Sequence, residues 1–223
     1  MKKLFQAIRH EDLQEVKAIL EKKLEAISSI TTPPPKKDMG QSPLQVAFKT
    51  GALEIARYLI EQGADVNFME DEEHGSDWRT PVLHDAISAV LQCLCYGTKY
   101  IPASEEALEL TRELLKRGAD INKLASNDFD ALDTCVHDAS YILDNSSYSD
   151  VHEFTEKQLM ALLDLMLEYG ADFKSWANRK AKIGELNRTL YLDNVELSPG
   201  APVRTAHTKA VLQAYCRDRK IEI

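Results

Sequence analysis

Three segments of this chain close in the same way, and that recurrence limits the folds open to it. Leu53 to Asn67 reads LEIARYLIEQGADVN, Leu108 to Asn122 reads LELTRELLKRGADIN, and Leu159 to Phe173 reads LMALLDLMLEYGADF. Each is an apolar stripe at helical spacing, as in Leu53, Ala56 and Ile60 or Leu159, Leu162, Leu163 and Met166, followed by Gly-Ala-Asp. One face of each helix must therefore pack inward. Gly63, Gly118 and Gly170 stand where a helix needs a left-handed terminator, a backbone state that costs glycine nothing sterically.

A second element precedes each stripe. Ser42-Pro43-Leu44-Gln45-Val46-Ala47 leads into the first, Thr80-Pro81-Val82-Leu83-His84-Asp85-Ala86 into the second, and Asp130-Ala131-Leu132-Asp133-Thr134-Cys135 into the third. Ser42, Thr80 and Asp130 are expected as N-caps, with Pro43 and Pro81 at the first helical position, where no amide hydrogen bond is lost. Each unit then reads as cap, short helix, turn, longer helix, glycine stop.

On these residues the chain resembles the ankyrin repeat family. Gly40 to Asn67 looks like a nearly complete unit, with SPLQVA, Gly51 at the turn and GADVN in register. The Thr80 unit has one extra residue relative to the family's TPLH pattern, and the Asp130 unit replaces Thr-Pro with Asp-Ala. Lys3 to Lys23 resembles an N-terminal capping repeat through Leu4, Ala7, Ile8, Leu13, Val16 and Leu20, without the GAD ending. The resemblance implies an all-α helical repeat solenoid with short β-hairpin turns between repeats and a C-terminal helical cap. Four repeats are expected, at 1–30, 38–67, 76–122 and 128–173, within a solenoid over 1–176, with the cap over 177–223.

Spacing sets the chain apart from that family. The glycines at 63, 118 and 170 are 55 and 52 residues apart, against ~33 for a standard unit. About twenty residues are added to each of two consecutive repeats. Part of the first addition is Glu70 to Asp77 in the hairpin, and the rest falls at 91–104 and 141–155 between paired helices. Ala86 to Tyr96 reads as an extended helix, and Asp144 to Ser149 as loop. Stacking puts equivalent insertions side by side, so they are expected to form one lobe away from the hairpin tips. Further on, Arg188 to Val195 reads as an irregular segment or strand. Thr205 to Cys216 is expected as a terminal helix with Ala206, Ala210, Val211, Ala214 and Tyr215 on its apolar side.

Charge narrows the partners. The 223 residues carry 27 Lys plus Arg and 36 Asp plus Glu, a formal net charge of -9. Residues 174–223 hold 10 basic and 5 acidic residues, so the repeat body is at -14 and the tail at +5. A body of that sign argues against nucleic acid and anionic membrane, and favours a protein with a basic surface. Nucleic-acid contact is left to the tail, through Lys174, Arg179, Lys180, Lys182 and Arg188 near Trp176. The start, Met1-Lys2-Lys3-Leu4-Phe5, resembles a signal peptide, but Arg9 to Asp12 interrupt it. No window approaches the ~18 apolar residues of a membrane span. A soluble cytoplasmic protein with free thiols, monomeric when free, is expected.

No catalytic motif stands out: there is no phosphate-cradling glycine loop, no HExxH and no nucleophile elbow. The family resemblance gives His84 a structural hydrogen-bonding role. Cys93-x-Cys95 with Cys135-x-His137 could supply four zinc ligands, but residues two apart on a helix diverge, so buried thiols are the better reading. No metal and no cofactor are expected.

The run Glu70-Asp71-Glu72-Glu73 reads equally as a solvated loop or as an electrostatic guide for a basic partner. Trp78, Arg79 and Trp176 fall in or beside hairpins, and Phe68 follows GADVN directly. The family pattern adds the inner-helix positions Arg9 and His10, Lys49 and Thr50, Ser88 and Ala89, and His137 and Asp138 as partner-facing. The resulting expectation is a non-enzymatic protein-protein interaction module acting as an adaptor. Two alternatives stay open: a neutralising, immunity-type inhibitor of a toxin or enzyme, and a degenerate enzyme or effector. The latter would have a site in the insertion lobe around Cys93, Cys95, Tyr100, His137 and Tyr141.

Overall fold

The computed structural model describes residues 2–32, 38–74, 77–178 and 206–221. Eight of its helices form four antiparallel pairs: α1 (Lys2–Arg9) with α2 (Leu13–Lys22), α3 (Pro43–Thr50) with α4 (Leu53–Glu61), α5 (Val82–Gln92) with α6 (Ile101–Lys116), and α7 (Ala131–Leu143) with α8 (His152–Glu168). The odd-numbered helices stack into an inner row and the even-numbered ones into an outer row, giving an all-α repeat solenoid. Inter-repeat loops form turns, with no strand among the described residues.

The helix starts follow local chemistry, with one shift of frame. Ser42 and Asp130 build capping boxes with Gln45 and Asp133, each cap side chain accepting from the third helical amide. The middle unit departs from expectation: α5 begins at Val82 with Pro81 at the N-cap, and Thr80 lies outside the helix. The extra residue in this unit pushes Pro81 back one place, so no side chain caps α5. Thr80 instead directs its amide to Glu70 Oε2 at 3.0 Å.

The helix ends are uniform. Gly63, Gly118 and Gly170 adopt φ of 86°, 88° and 80°. The amides of Ala64, Ala119 and Ala171 then reach back across them to Leu59, Leu114 and Met166 at 3.0, 3.0 and 2.9 Å. The asparagines after GAD link one repeat to the next. Asn67 donates from Nδ2 to Gly118 O and accepts the Asp120 amide on Oδ1, both at 2.8 Å. Asn122 repeats this with Gly170 O at 3.3 Å and the Asp172 amide at 3.2 Å. Replacing Asn67 by Ala is expected to lower unfolding free energy by about 1–2 kcal/mol, two net hydrogen bonds' worth. An unchanged denaturation midpoint would show that the clamp contributes nothing.

A parallel handover runs along the inner row from the third helical position. Gln45 Nε2 donates to Thr80 O at 2.8 Å, His84 Nε2 lies 3.2 Å from Lys123 O, and Asp133 Oδ1 accepts from Trp176 Nε1 at 2.8 Å. His84 also meets Thr134 Oγ1 at 3.1 Å through Nδ1, the structural role that the resemblance implied. Burial holds this imidazole down at about 4.

The insertions form one lobe. Leu94 from the 3₁₀ turn Cys93–Tyr96, Ile142 from α7 and Val151 from the turn Ser146–Val151 make a small core of their own, flanked by Cys93, Cys95, Ile101, Tyr148 and Phe154. The terminal helix, Ala206–Arg219, packs on α7. Its inward face is Thr208, Val211, Leu212, Tyr215 and Cys216, whereas Ala210 is exposed. Val211 and Tyr215 of the expected apolar side are thus buried and Ala214 is half-buried, while the face centres on Leu212 and Tyr215, which carry more apolar surface than Ala210. Arg188 to Val195 lies outside the described residues.

Candidate functional site

The loop joining α4 to α5 is tied at its neck. The Val82 amide bonds Phe68 O at 3.0 Å, and Glu70, only 4% exposed, receives the Thr80 amide inside the loop. A carboxylate there satisfies a donor that the loop would otherwise bury unpaired. Asp71, Glu72, Glu73 and Asp77 remain on the outside. Asp71 accepts the His74 amide at 2.7 Å and faces His74 Nδ1 at 3.0 Å, a contact that holds the imidazole above its ordinary range. Arg79 pairs with Glu72 at 3.2 Å.

The loop between α6 and α7 locks onto this one through Ser126. Its amide donates to Arg79 O at 3.0 Å, its hydroxyl donates to Asp77 O at 2.9 Å, and the Arg79 amide donates to Ser126 Oγ at 2.9 Å. Trp78 lies between the two bonded residues and is 63% exposed. Both its neighbours are fixed through their backbone, so Trp78 stands on a braced segment of the loop that also carries the exposed Asp71, Glu72, Glu73 and Asp77. Leu124 adds a second exposed apolar side chain, at 42%, on the adjoining loop.

Along the inner row the polar side chains pair mostly with one another. Arg9 Nε donates to Asp38 at 2.8 Å, Lys49 lies 3.6 Å from Asp85, and Ser88 donates to Asp138 at 2.6 Å. His137 meets the same Asp138 at 3.1 Å. Asp85 is buried, its Oδ2 has no hydrogen-bond partner, and desolvation pushes its carboxyl up to about 7 despite Lys49.

The candidate partner residues thus divide. His10, Lys49, Asp71, Trp78 and His137 are exposed, while Arg9, Thr50, Arg79 and Ser88 are half-buried. Glu70 and Asp138 are buried and engaged as internal acceptors, so they present no surface to a partner. Phe68 and Trp176 pack against the main core, and the indole N–H of Trp176 is committed to Asp133. Both aromatics follow a GAD motif closely, where the chain is still crossing the repeat stack. Sequence reading missed the bracing role of Ser126, which has no local signature because its three bonds join residues 47 and 49 positions away.

The lobe proposed as an alternative reactive site is an apolar packing unit. Burial pushes the Cys93 thiol up to about 11, and its Sγ lies against the carbonyls of Val90 and Tyr100. Cys135 is fully buried and its thiol is likewise raised. Among the described residues no group of three His, Cys, Asp or Glu is arranged to hold a metal ion, and no helix is long and apolar enough to cross a membrane. Of the basic tail, Lys174 is exposed, while Arg179, Lys180, Lys182 and Arg188 lie outside the described residues.

Comparison with known proteins gives one family match: the model for ankyrin repeats (3 copies) fits residues 2–70. No curated protein matches the chain in sequence. Among solved structures, the ankyrin repeat domain of Bcl-3, described as a unique member of the IkappaB protein family, is similar at 22% identity and a TM-score of 0.41. That match covers 59% of this chain and 45% of the other, so the chain spans under half the length of that neighbour.

Proposed function

Since residues 2–70 are ankyrin repeats, and helix pairs continue the stack to residue 168, we propose that this chain is a protein-binding module whose contact surface is the braced rim around Trp78. Ankyrin repeats are in general protein-protein interaction modules, and the finer reading concerns the surface and the partner. One observation carries it: a tryptophan 63% exposed between two backbone positions that Ser126 pins. An exposed indole favours association, and bracing reduces the ordering entropy lost on contact. The exposed carboxylates at Asp71, Glu72, Glu73 and Asp77, on a body of net -14, favour a partner with a basic surface. His10, Lys49 and His137 extend the surface along the inner helices. The chain acts as an adaptor by binding alone.

Affinity capture with the intact chain and with a Trp78→Ala variant tests this. A partner held by the intact chain is expected to bind the variant at least about 30-fold more weakly, the loss of a hot-spot anchor worth ~2 kcal/mol. Equal recovery by two equally folded proteins would place the contact elsewhere.

A further inference from the structure

The lobe built by the insertions carries an aromatic surface at the end of the molecule opposite the hairpin rim. Tyr96, at the end of its 3₁₀ turn, is 72% exposed, and Tyr141, on the last turn of α7, is 60% exposed. Each leans on a second tyrosine, Tyr96 on Tyr100 with ring centroids 5.6 Å apart and Tyr141 on Tyr148 at 5.8 Å. Tyr148 packs on the same small core as Cys93 and Cys95, and Leu94 of that core belongs to the turn that ends in Tyr96, so the two pairs sit over one core. Leu94, Ile142 and Val151 support them from below. Exposed rings gathered over one core, rather than scattered singly, mark a surface suited to contact.

Charge and ring geometry choose the occupant. On the outside of the lobe the exposed carboxylates are Glu105, Asp150 and Glu153, with Glu156 half-buried, against the exposed cations Lys99 and Lys157, while Asp138 and Asp144 are taken up within the fold by Ser88 and Thr208. The fold already places cations on its own rings: Lys99 Nζ is 5.0 Å from the Tyr100 centroid, Lys157 Nζ 5.3 Å from Phe154, and the Arg219 guanidinium 4.1 Å from Tyr215. A planar guanidinium stacks on a phenol ring and keeps its in-plane donors for carboxylates, which an ammonium cannot do. We propose that the Tyr96–Tyr141 cluster is a second docking surface, which takes an arginine-bearing extended segment of a partner protein. The rings stack the guanidinium groups and the surrounding carboxylates set the sign. This surface does not depend on the rim around Trp78.

Calorimetric titration with an eight-residue peptide alternating arginine and glycine tests it, using the full chain. The wild type is expected to bind, a Tyr96→Ala, Tyr141→Ala variant at least about 10-fold more weakly, and a Tyr96→Phe, Tyr141→Phe variant within about 2-fold, because the ring rather than the hydroxyl makes the contact. Trp78→Ala is expected to bind like the wild type, and a peptide with glutamine for arginine not to bind. Circular dichroism is expected to show that the alanine variant keeps its helices, both substituted side chains being exposed. Absence of binding by the wild type overturns the proposal. So does equal binding by the alanine variant, which would mean diffuse attraction to an acidic body, or loss of binding in Trp78→Ala, which would put the peptide on the rim.

Discussion

Replacing Asp85 with Asn should make the chain progressively more stable than wild type as pH rises from 4 to 7, while replacing His84 with Gln should do the reverse, gaining on wild type as pH falls from 6.5 to 4. The two residues are adjacent on the first turn of α5 and are buried with opposite consequences. Desolvation holds His84 at about 4 against an ordinary 6.5, so in that interval the unfolded chain takes a proton that the native one refuses. Wild-type stability is therefore lost as pH falls through it, at up to about 1.4 kcal/mol per pH unit. Asp85 is raised to about 7 from 3.8, so the native chain keeps a proton that the unfolded chain releases. Its contribution is present at low pH and disappears as pH rises through the interval. Each variant removes one side of this opposition, and each difference from wild type should reach roughly 3 kcal/mol across its window. Glutamine is the natural substitute at 84, because Gln45 holds the same helical position one repeat earlier and donates to the next loop's carbonyl. Denaturant titrations at intervals of one pH unit read both slopes. Stability curves for the variants that run parallel to the wild type would show that neither group is displaced from its ordinary range.

The second large effect is expected from Ile87→Ala. Ile87 is fully buried at the middle of α5, which contacts α3, α6 and α7 and so joins the first two helix pairs to the fourth. Removing a buried branched side chain costs the lost transfer energy plus a cavity, about 2–5 kcal/mol. In a stack where each repeat is supported by its neighbours, damage at the centre also weakens the coupling between the two sides. The unfolding curve should move to lower denaturant and broaden. A shift as small as that of an exposed substitution would show that α5 is not the keystone of the stack.

Much of this architecture could be read before any coordinate. Helical stripes, glycine stops and the Ser42 and Asp130 caps are local signals, and each acts within a few residues of itself. What escaped depends on where distant segments meet. Nothing near Glu70 in the sequence tells it apart from Asp71 or Glu72, yet only Glu70 lies opposite the Thr80 amide ten residues on. Trp176 and Trp78 look alike as loop tryptophans, and the difference lies in Asp133, 43 residues away, which engages one of them. The single extra residue in the Thr80 unit was visible, but its effect on the cap was not, because Glu70 is what receives the freed amide. For the same reason the shared core of Leu94, Ile142 and Val151, which sets the Tyr96 and Tyr141 pairs over one lobe, emerges only when the two insertions lie together.

The asparagine clamps have a consequence for how evenly the units are joined. Asn67 and Asn122 each reach forward to the Gly-Ala-Asp of the following unit, and the corresponding position after Gly170-Ala171-Asp172 is Lys174. There the Asp172 carboxylate turns to the Ser175 amide at 2.8 Å and starts the short helix at 173–178. The two asparagines therefore stitch the second unit to the third and the third to the fourth at the loop side, whereas the first unit, which lacks the motif, is joined to the second by helix packing without such a stitch.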